Sequence, residues 1–225
     1  MALSRFDRAI LNYRPLIYAR PVAGVMTDLS AYATVVTPSG LAASTSGEEF
    51  ERGSSGTSVL TGNGSSQYAT LAAIPRLLSR LVGRPFTIMY RAATSYFATS
   101  GAIFSQVGPS GTHGLVVYNS GAYGSPDGNR NGFIMYDATR SRYFSGSHGG
   151  VAFDGQPHTH IYSVDPAVVE ASNPVAYYFD EVVNTASNLI GWNAAYDPSV
   201  EATEGSMFAK KVGGTVTDYF NGSLF

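Results

Sequence analysis

The sequence predicts an all-β fold, an antiparallel β-sandwich with one or two short helices. Short runs of aromatic and β-branched residues recur along the chain at the close spacing typical of sandwich strands. The 25 glycines and 11 prolines are spread between these runs, which indicates frequent turns. Charged residues make up only 13% of the chain, about half of the ~25% usual in globular domains, so Ser, Thr, Asn, Gly and Tyr must form much of the surface.

The N-terminus carries a helix-start pattern. Ser4 is followed three residues later by Asp7, as in a capping box, and apolar residues recur on one face after it. We therefore expect a short helical, anchoring segment over residues 1–12. The rest of the chain, residues 13–225, is predicted to form a single sandwich domain, a size at which one core is common.

The next elements are predicted from local signals. Residues 15–20 are expected to form a strand, Asp28-Leu29-Ser30 a turn, and residues 32–37 a further extended piece. Residues 37–58 are rich in Ser, Gly, Thr and acids, which favours a long surface loop.

The stretch from residue 59 to residue 92 has the clearest pattern in the chain. A strand ends near Leu60, residues 62–64 supply a Gly-Asn-Gly turn, and residues 67–71 resume as a strand. Residues 75–83 begin with Pro, end with Gly and carry an apolar stripe, so they predict a short helix. Residues 86–91 are apolar or aromatic on both faces, which predicts a central strand covered on both sides.

The remainder of the chain predicts strands that bring the total to about twelve to fourteen. They share β-branched or aromatic enrichment and flanking turn residues. These strands are expected at residues 102–107, 114–118, 132–136, 142–144, 158–164, 174–179, 182–183, 189–192, 206–211 and 219–225.

Five motifs, in order along the chain, resemble the laminin-G-like, concanavalin-A-like lectin-glucanase jelly-roll family, which is also found in phage virion proteins. They resemble its opening strand, its Asp-x-Ser turn, its apolar-x-Gly…Tyr hairpin, its central strand and its late aromatic-Asn-Gly-Ser turn. The corresponding positions are residues 13–20, 28–30, 60–68, 86–91 and 220–224. The resemblance implies a jelly roll but no particular activity, because this fold carries lectins, hydrolases and assembly modules alike.

The chain departs from that family at three places. Pro157-His158 stands where the family has Trp-His, and Asp180-Glu181 stands where it has Asp-Gly. The family's last strand continues past the Asn-Gly-Ser turn, whereas this chain ends at Phe225. This ending suggests that a neighbouring subunit completes the sheet edge at residues 220–225.

The sequence lacks the residue patterns that mark catalytic sites in enzymes of this and other folds. Hydrolases of this fold place acids at alternate positions of one strand, and the nearest match, Glu49-x-Glu51, lies in a predicted loop. There is no Gly-x-Ser-x-Gly elbow, phosphate loop or dinucleotide fingerprint, and no cysteine. Asp180 and Glu181 are interpreted as hairpin-turn residues. The chain is therefore predicted not to be an enzyme.

Two sequence clusters could hold a metal ion, although no cofactor is expected. His158 and His160 lie on one face of a predicted strand and would need a carboxylate to complete a site; packing inside the sheet is the alternative. Asp127, Asn129 and Asn131 form a candidate calcium cluster with a single carboxylate.

Glycan binding by this fold would use exposed aromatic rings beside amides. The alternative is that the aromatic residues among the candidates pack in the core. The candidate ligand-binding residues are Tyr118, Asn119, Tyr123, Asn129, Trp192 and Asn193.

The net charge of −2 and pI of about 6.1 argue against nucleic-acid or membrane partners. The charge is uneven, since residues 1–91 hold nine Arg against five acids and residues 143–225 hold two Lys against nine acids. Interleaving of strands from the two halves would cancel this asymmetry. The alternative hypothesis is that the asymmetry remains in the folded protein and that an Arg-bearing face docks on an acidic partner.

These observations favour a non-enzymatic virion surface protein, most simply a bacteriophage capsid decoration or short head-fibre protein, made in the host cytoplasm without a signal peptide. Its expected partners are the virion capsid or neighbouring subunits, in a homo-oligomer or in many copies on a particle, and a host-surface glycan. The alternative is a stand-alone glycan-binding lectin of the tail-fibre or receptor-binding type, and a hydrolase is the third hypothesis.

Overall fold

The computed structural model describes residues 4–46, 57–81, 84–95, 101–108, 111, 113–119, 130–136, 141–147, 153–168, 174–184, 187–190 and 201–225. These residues contain two short helices and nineteen strands, which confirms the all-β prediction. In the same residues no helix combines the length and the hydropathy needed to cross a membrane.

The helices are α1 (Arg5–Asn12) and α2 (Leu77–Leu81). The strands are β1 (Ala19–Val22), β2 (Val25–Asp28), β3 (Val36–Ser39), β4 (Ala42–Ser46), β5 (Thr57–Asn63), β6 (Tyr68–Leu71), β7 (Phe86–Ala93), β8 (Ala102–Val107), β9 (Gly114–Asn119), β10 (Arg130–Tyr136), β11 (Ser141–Ser147), β12 (Pro157–Val164), β13 (Val175–Phe179), β14 (Val182–Asn184), β15 (Ser187–Ile190), β16 (Glu204–Met207), β17 (Lys210–Val212), β18 (Thr215–Thr217) and β19 (Asn221–Leu224).

Two large antiparallel sheets form the sandwich. One has eight strands in the order β15-β11-β10-β9-β8-β16-β6-β3, and the other has seven in the order β14-β13-β12-β7-β19-β5-β4. Two ribbons, β1-β2 and β17-β18, are separate from them.

The core lies between the two large sheets because alternate side chains of each strand point inward. Phe133 from the eight-stranded sheet meets Tyr162 from the seven-stranded sheet edge to face, with ring centroids 5.7 Å apart. Tyr162 in turn stacks on Tyr177 at 4.7 Å. All three rings are at most 1% exposed, so these aromatic contacts join the layers.

The predicted N-terminal helix forms, and its cap also fastens it to the chain segment that enters the β1-β2 ribbon. The Ser4 hydroxyl accepts from the Asp7 backbone N–H, and the Asp7 carboxylate accepts from the Ser4 backbone N–H, both at 2.9 Å. The same carboxylate accepts from the Tyr18 hydroxyl at 2.8 Å and from the Arg20 guanidinium at 2.7 Å. Burial alone would raise the pKa of Asp7, but these donors hold it below its usual value.

The predicted turn at Asp28-Leu29-Ser30 is confirmed, and a buried carboxylate organises it. Asp28 accepts from the backbone N–H groups of Tyr18, Ser30 and Thr34 at 2.8 to 3.0 Å. These bonds outweigh the effect of burial, so the pKa of Asp28 is lowered.

Two sequence predictions about the region from β3 to β6 are wrong. Residues 37–58 are not simply a loop, because they contain most of β3, all of β4 and the start of β5. β5 and β6 are not a hairpin either: β5 pairs with β4 and β19, and β6 pairs with β3 and β16 in the other sheet. The turn between them, in which Asn63 Oδ1 accepts three backbone N–H groups, is a corner that carries the chain from one layer to the other.

The C-terminal strand does not end at an open edge, contrary to the hypothesis that a neighbour completes it. β19 lies between β5 and β7, with Ser223 registered against both Thr61 and Ala93. Its Gly222 is needed there, since a Cβ would lie 2.4 Å from the Ala93 carbonyl oxygen and 2.6 Å from the Phe220 ring. The strand is therefore an interior part of this chain's own sheet.

The β13-β14 hairpin confirms the prediction that Asp180 and Glu181 are turn residues. Both adopt left-handed backbone conformations, with φ of 46° and 69°. This conformation strains a side-chain-bearing residue and suits glycine, which the resembled family has at the second position.

Glu181→Gly is accordingly expected to stabilise the protein by ~0.5–1 kcal/mol, because relief of strain exceeds the added freedom of the unfolded chain. Urea unfolding at pH 7 measures the change. Glu181→Ala serves as the control, since it removes the charge but retains the strain. Equal stability of the two variants would contradict this explanation.

Candidate binding face

The outer face of the seven-stranded sheet carries an unbroken row of apolar side chains. Met89 is registered against Ile161, Ile161 against Tyr178, and Tyr178 against Val183, on the adjacent strands β7, β12, β13 and β14. On β7, β12 and β13 the neighbouring side chains pack into the core, so Met89, Ile161 and Tyr178 point outward, and Val183 lies opposite Tyr178 on the same face. With strands ~4.8 Å apart, the four residues, here called the apolar row, extend about 14 Å across the sheet.

The apolar row is open to solvent. Met89 is 46% exposed and Val183 58% exposed, and Ile161 and Tyr178 are half-buried. Single exposed apolar residues are common on protein surfaces, but a contiguous row is typical of a contact surface.

Polar residues border the apolar row on both sides. Thr87 and Ser163 are paired on one side. On the other, Arg91 donates from Nη1 to the Thr159 hydroxyl at 3.0 Å, and its guanidinium lies 6.0 Å from the centroid of the Phe225 ring. An apolar centre with a polar rim is the usual composition of a protein-binding surface.

This face corrects one sequence prediction. Strand β7 is central, as predicted, but it is not covered on both sides, because its outward residues Thr87 and Met89 are exposed. The apolar residues that suggested a second covering layer instead form part of the apolar row.

Beside this face, His158 connects a loop to the β13-β14 turn. Its Nδ1 lies 2.5 Å from Asp180 Oδ2, and its Nε2 lies 3.0 Å from Asp154 Oδ1. Only the imidazolium form has an N–H for each carboxylate. Burial alone would lower the pKa of His158, but the bonds to Asp180 and Asp154 raise it above its usual value.

His158 is therefore expected to make stability depend on pH. A raised folded-state pKa gives a stabilising contribution that is complete below the unfolded-state value of ~6.5 and is lost as pH rises through the folded-state value. The melting temperature should fall as pH rises above about 6.5, and this fall should be smaller in His158→Gln. The comparison is thermal unfolding of both proteins from pH 5 to pH 9, and identical slopes would contradict the assignment.

The arrangement of His158 does not form a metal site. His158 and His160 do share one face of β12, as predicted. The two carboxylates, however, lie on opposite ring nitrogens of His158, and the His160 ring stacks on Tyr90 at 4.6 Å in the interior. Among the described residues, no three His, Cys, Asp or Glu side chains converge in a way that could hold a metal ion.

Two predicted site residues are buried by the fold. Tyr118 is 4% exposed and packs with Val116 and Ile134 on the outer face of the eight-stranded sheet. Asn131 is 1% exposed and faces the core from β10, where its Nδ2 lies 3.2 Å from His160 Nδ1 of the opposite sheet. In this fold both side chains are packed away from solvent.

The other sequence candidates remain predictions. Asn119 is the last residue of β9, and its side chain lies outside the described part of the structure. The remaining glycan, calcium and acid-pair candidates lie outside the described residues, and they are Glu49, Glu51, Tyr123, Asp127, Asn129, Trp192 and Asn193.

No family model matches the sequence, and no curated protein matches it. Solved structures do match the fold. The binding domain of botulinum neurotoxin DC in complex with rat synaptotagmin II aligns with a TM-score of 0.62 and 9% identity over 95% of this chain and 46% of that one. The same neurotoxin's binding domain in complex with SialylT aligns with a TM-score of 0.60 and 9% identity over 95% of this chain and 46% of that one. A structure described as a receptor binding domain aligns with a TM-score of 0.60 and 9% identity over 96% of this chain and 48% of that one.

This chain thus spans about half the length of each of these structures. At such low identity the likeness shows the fold alone. It confirms the jelly roll of the laminin-G and concanavalin-A type that the sequence motifs predicted.

Proposed function

We propose that this chain is a non-enzymatic binding module that attaches to a protein partner through the outer face of its seven-stranded sheet. The observation that carries the proposal is the apolar row, Met89, Ile161, Tyr178 and Val183, which is contiguous, exposed and rimmed by polar residues.

The chemistry of the apolar row favours protein over sugar as its occupant. Met89, Ile161 and Val183 offer no hydrogen-bonding side-chain groups, whereas a sugar needs several around each ring. Met and Tyr are enriched in protein interfaces, where they supply buried apolar area.

Charges of both signs border the apolar row. Arg91 lies beside it on β7, and Asp180, which is exposed, lies on the same side, where its Oδ1 accepts from the backbone N–H of Thr159. The partner is therefore expected to present charged groups of both signs around its own apolar patch.

The fold neighbours support binding rather than catalysis. Two are described as binding domains, in complex with a protein, rat synaptotagmin II, and with SialylT, and another is described as a receptor binding domain. These partners belong to those proteins. For this chain the inference is the class of function, a jelly roll used for attachment.

The place of attachment that we propose is a bacteriophage particle, with the chain as a capsid decoration or short head-fibre protein. The support is the sequence resemblance to the jelly rolls of phage virion proteins. Many copies on one particle would strengthen a weak single contact by ~10²–10⁴ through multivalency.

Co-sedimentation of the purified chain with particles produced from the genome that encodes it tests the proposal. Saturable binding that is displaced by unlabelled chain is the expected result. Absence of particle binding, together with saturable binding on a glycan array, would replace the proposal with the lectin hypothesis.

A further inference from the structure

We propose that Met89 is an oxidation site through which peroxides regulate attachment by the apolar row. The inference rests on the proposed function, because it assigns a form of regulation to the same binding face. Met89 lies on β7, the fourth of the seven strands, and its side chain is 46% exposed. Its thioether sulfur is therefore accessible to small oxidants in solution.

The other described methionines are shielded by the core. Met26 and Met207 belong to one buried cluster and Met135 to another, and each of the three is at most 7% exposed. Met1 lies outside the described residues. The sequence contains no cysteine, which is the other side chain that peroxides readily oxidise. Within the described part of the chain, the one exposed sulfur thus lies in the binding face.

The chemical step is the transfer of an oxygen atom from a peroxide to sulfur. A lone pair of the Met89 sulfur attacks one oxygen of hydrogen peroxide, and an S–O bond forms as the O–O bond breaks. The second oxygen takes the proton of the first and leaves as water. The sulfur is oxidised by two electrons and the peroxide is reduced by two. The product is methionine sulfoxide, which methionine sulfoxide reductases convert back to the thioether.

The sulfoxide changes the binding face and leaves the core alone. Met89 points outward beside Ile161, so in the free chain water hydrates the new oxygen. Docking would bury this strong acceptor in an apolar contact and remove its water, which opposes binding. Oxidation is therefore expected to weaken attachment about tenfold or more without unfolding the chain.

Attachment in turn protects Met89 from oxidation. A docked partner covers the apolar row, so the sulfur of particle-bound chain is shielded while that of free chain reacts. On times shorter than dissociation, peroxide should block new attachment without removing chain that is already in place.

The test is treatment of the full chain with hydrogen peroxide, followed by peptide mass spectrometry and by the particle co-sedimentation assay. We expect Met89 to gain one oxygen at least ~10-fold faster than Met26, Met135 and Met207. The half-saturating concentration for attachment should rise about tenfold or more, and methionine sulfoxide reductases A and B with a dithiol should reverse the rise. Chain attached before peroxide is added should retain an unoxidised Met89.

Two leucine variants identify the responsible sulfur. Met89→Leu keeps an apolar side chain without the sulfur, so peroxide should change its attachment less than about twofold relative to its own untreated sample. Met207→Leu, in the core, is the matched control, and its attachment should be as sensitive to peroxide as that of the unmodified chain.

Each result separates the oxidation site from the proposed function. Oxidation of Met89 no faster than that of the buried methionines would overturn the site, whether or not the chain attaches to particles. Selective oxidation that leaves attachment unchanged would overturn the regulation, as would full peroxide sensitivity in Met89→Leu. Failure of untreated chain to attach would refute the proposed function and with it the regulation, while the mass spectra would still decide the oxidation site.

Discussion

Met89→Asp is expected to weaken particle attachment at least ~100-fold while leaving the fold intact. Docking would bury an unpaired carboxylate in the middle of an apolar contact, which costs several kcal/mol. The free protein carries no such cost, because this side chain points to solvent and is 46% exposed. The measurement is the concentration of chain that half-saturates particles in a sedimentation assay, with far-ultraviolet circular dichroism as the check on folding.

Tyr13→Asp is the matched control. Tyr13 is 87% exposed at the end of α1, so the substitution introduces the same charge at an exposed apolar residue elsewhere. Attachment should be unchanged. If Tyr13→Asp abolished attachment and Met89→Asp did not, the N-terminal segment and not the sheet face would be the docking element.

Gly222→Ala is expected to produce the largest loss of stability, ~3 kcal/mol or more, and a fall in melting temperature of ~6–12 °C. The new methyl group would lie 2.4 Å from the Ala93 carbonyl oxygen and 2.6 Å from Phe220, which is 1% exposed. The backbone oxygen cannot rotate away, so β19 would have to separate from β7. Urea unfolding followed by tyrosine fluorescence measures the change.

Gly213→Ala provides the comparison for this substitution. A methyl group there meets no atom within 4 Å, although its φ of 54° is strained for alanine. Its expected cost is ~1 kcal/mol, from backbone strain alone. Equal costs at the two glycines would show that crowding around β19 is not what demands Gly222.

Elements encoded by neighbouring residues were predictable from the sequence. The Ser4–Asp7 cap, the Asp28 turn and the turn at Asp180-Glu181 each depend on contacts within a few residues. Strands β8 and β9 also form where the sequence predicted them.

Strand partners distant in the chain were not predictable in the same way. The Gly62-Asn63-Gly64 signal indicates a turn but does not specify whether the two strands pair or enter different sheets. The same limit applies to β19, whose partners β5 and β7 lie more than a hundred residues earlier.

The candidate site was only partly predictable. The two-sided apolar pattern of β7 predicted that both faces of the strand are covered, but whether a second layer covers Met89 depends on tertiary structure. Asn131 has the same alternation as Phe133, and that parity could have placed it in the core from sequence.

Hydroxyl-radical footprinting of the chain, free and bound to particles, tests the docking face most directly. Oxidation of Met89 and Tyr178 should fall severalfold on attachment, while that of Tyr13 stays constant. Undiminished oxidation of Met89 and Tyr178 on particle-bound chain would contradict docking through this face.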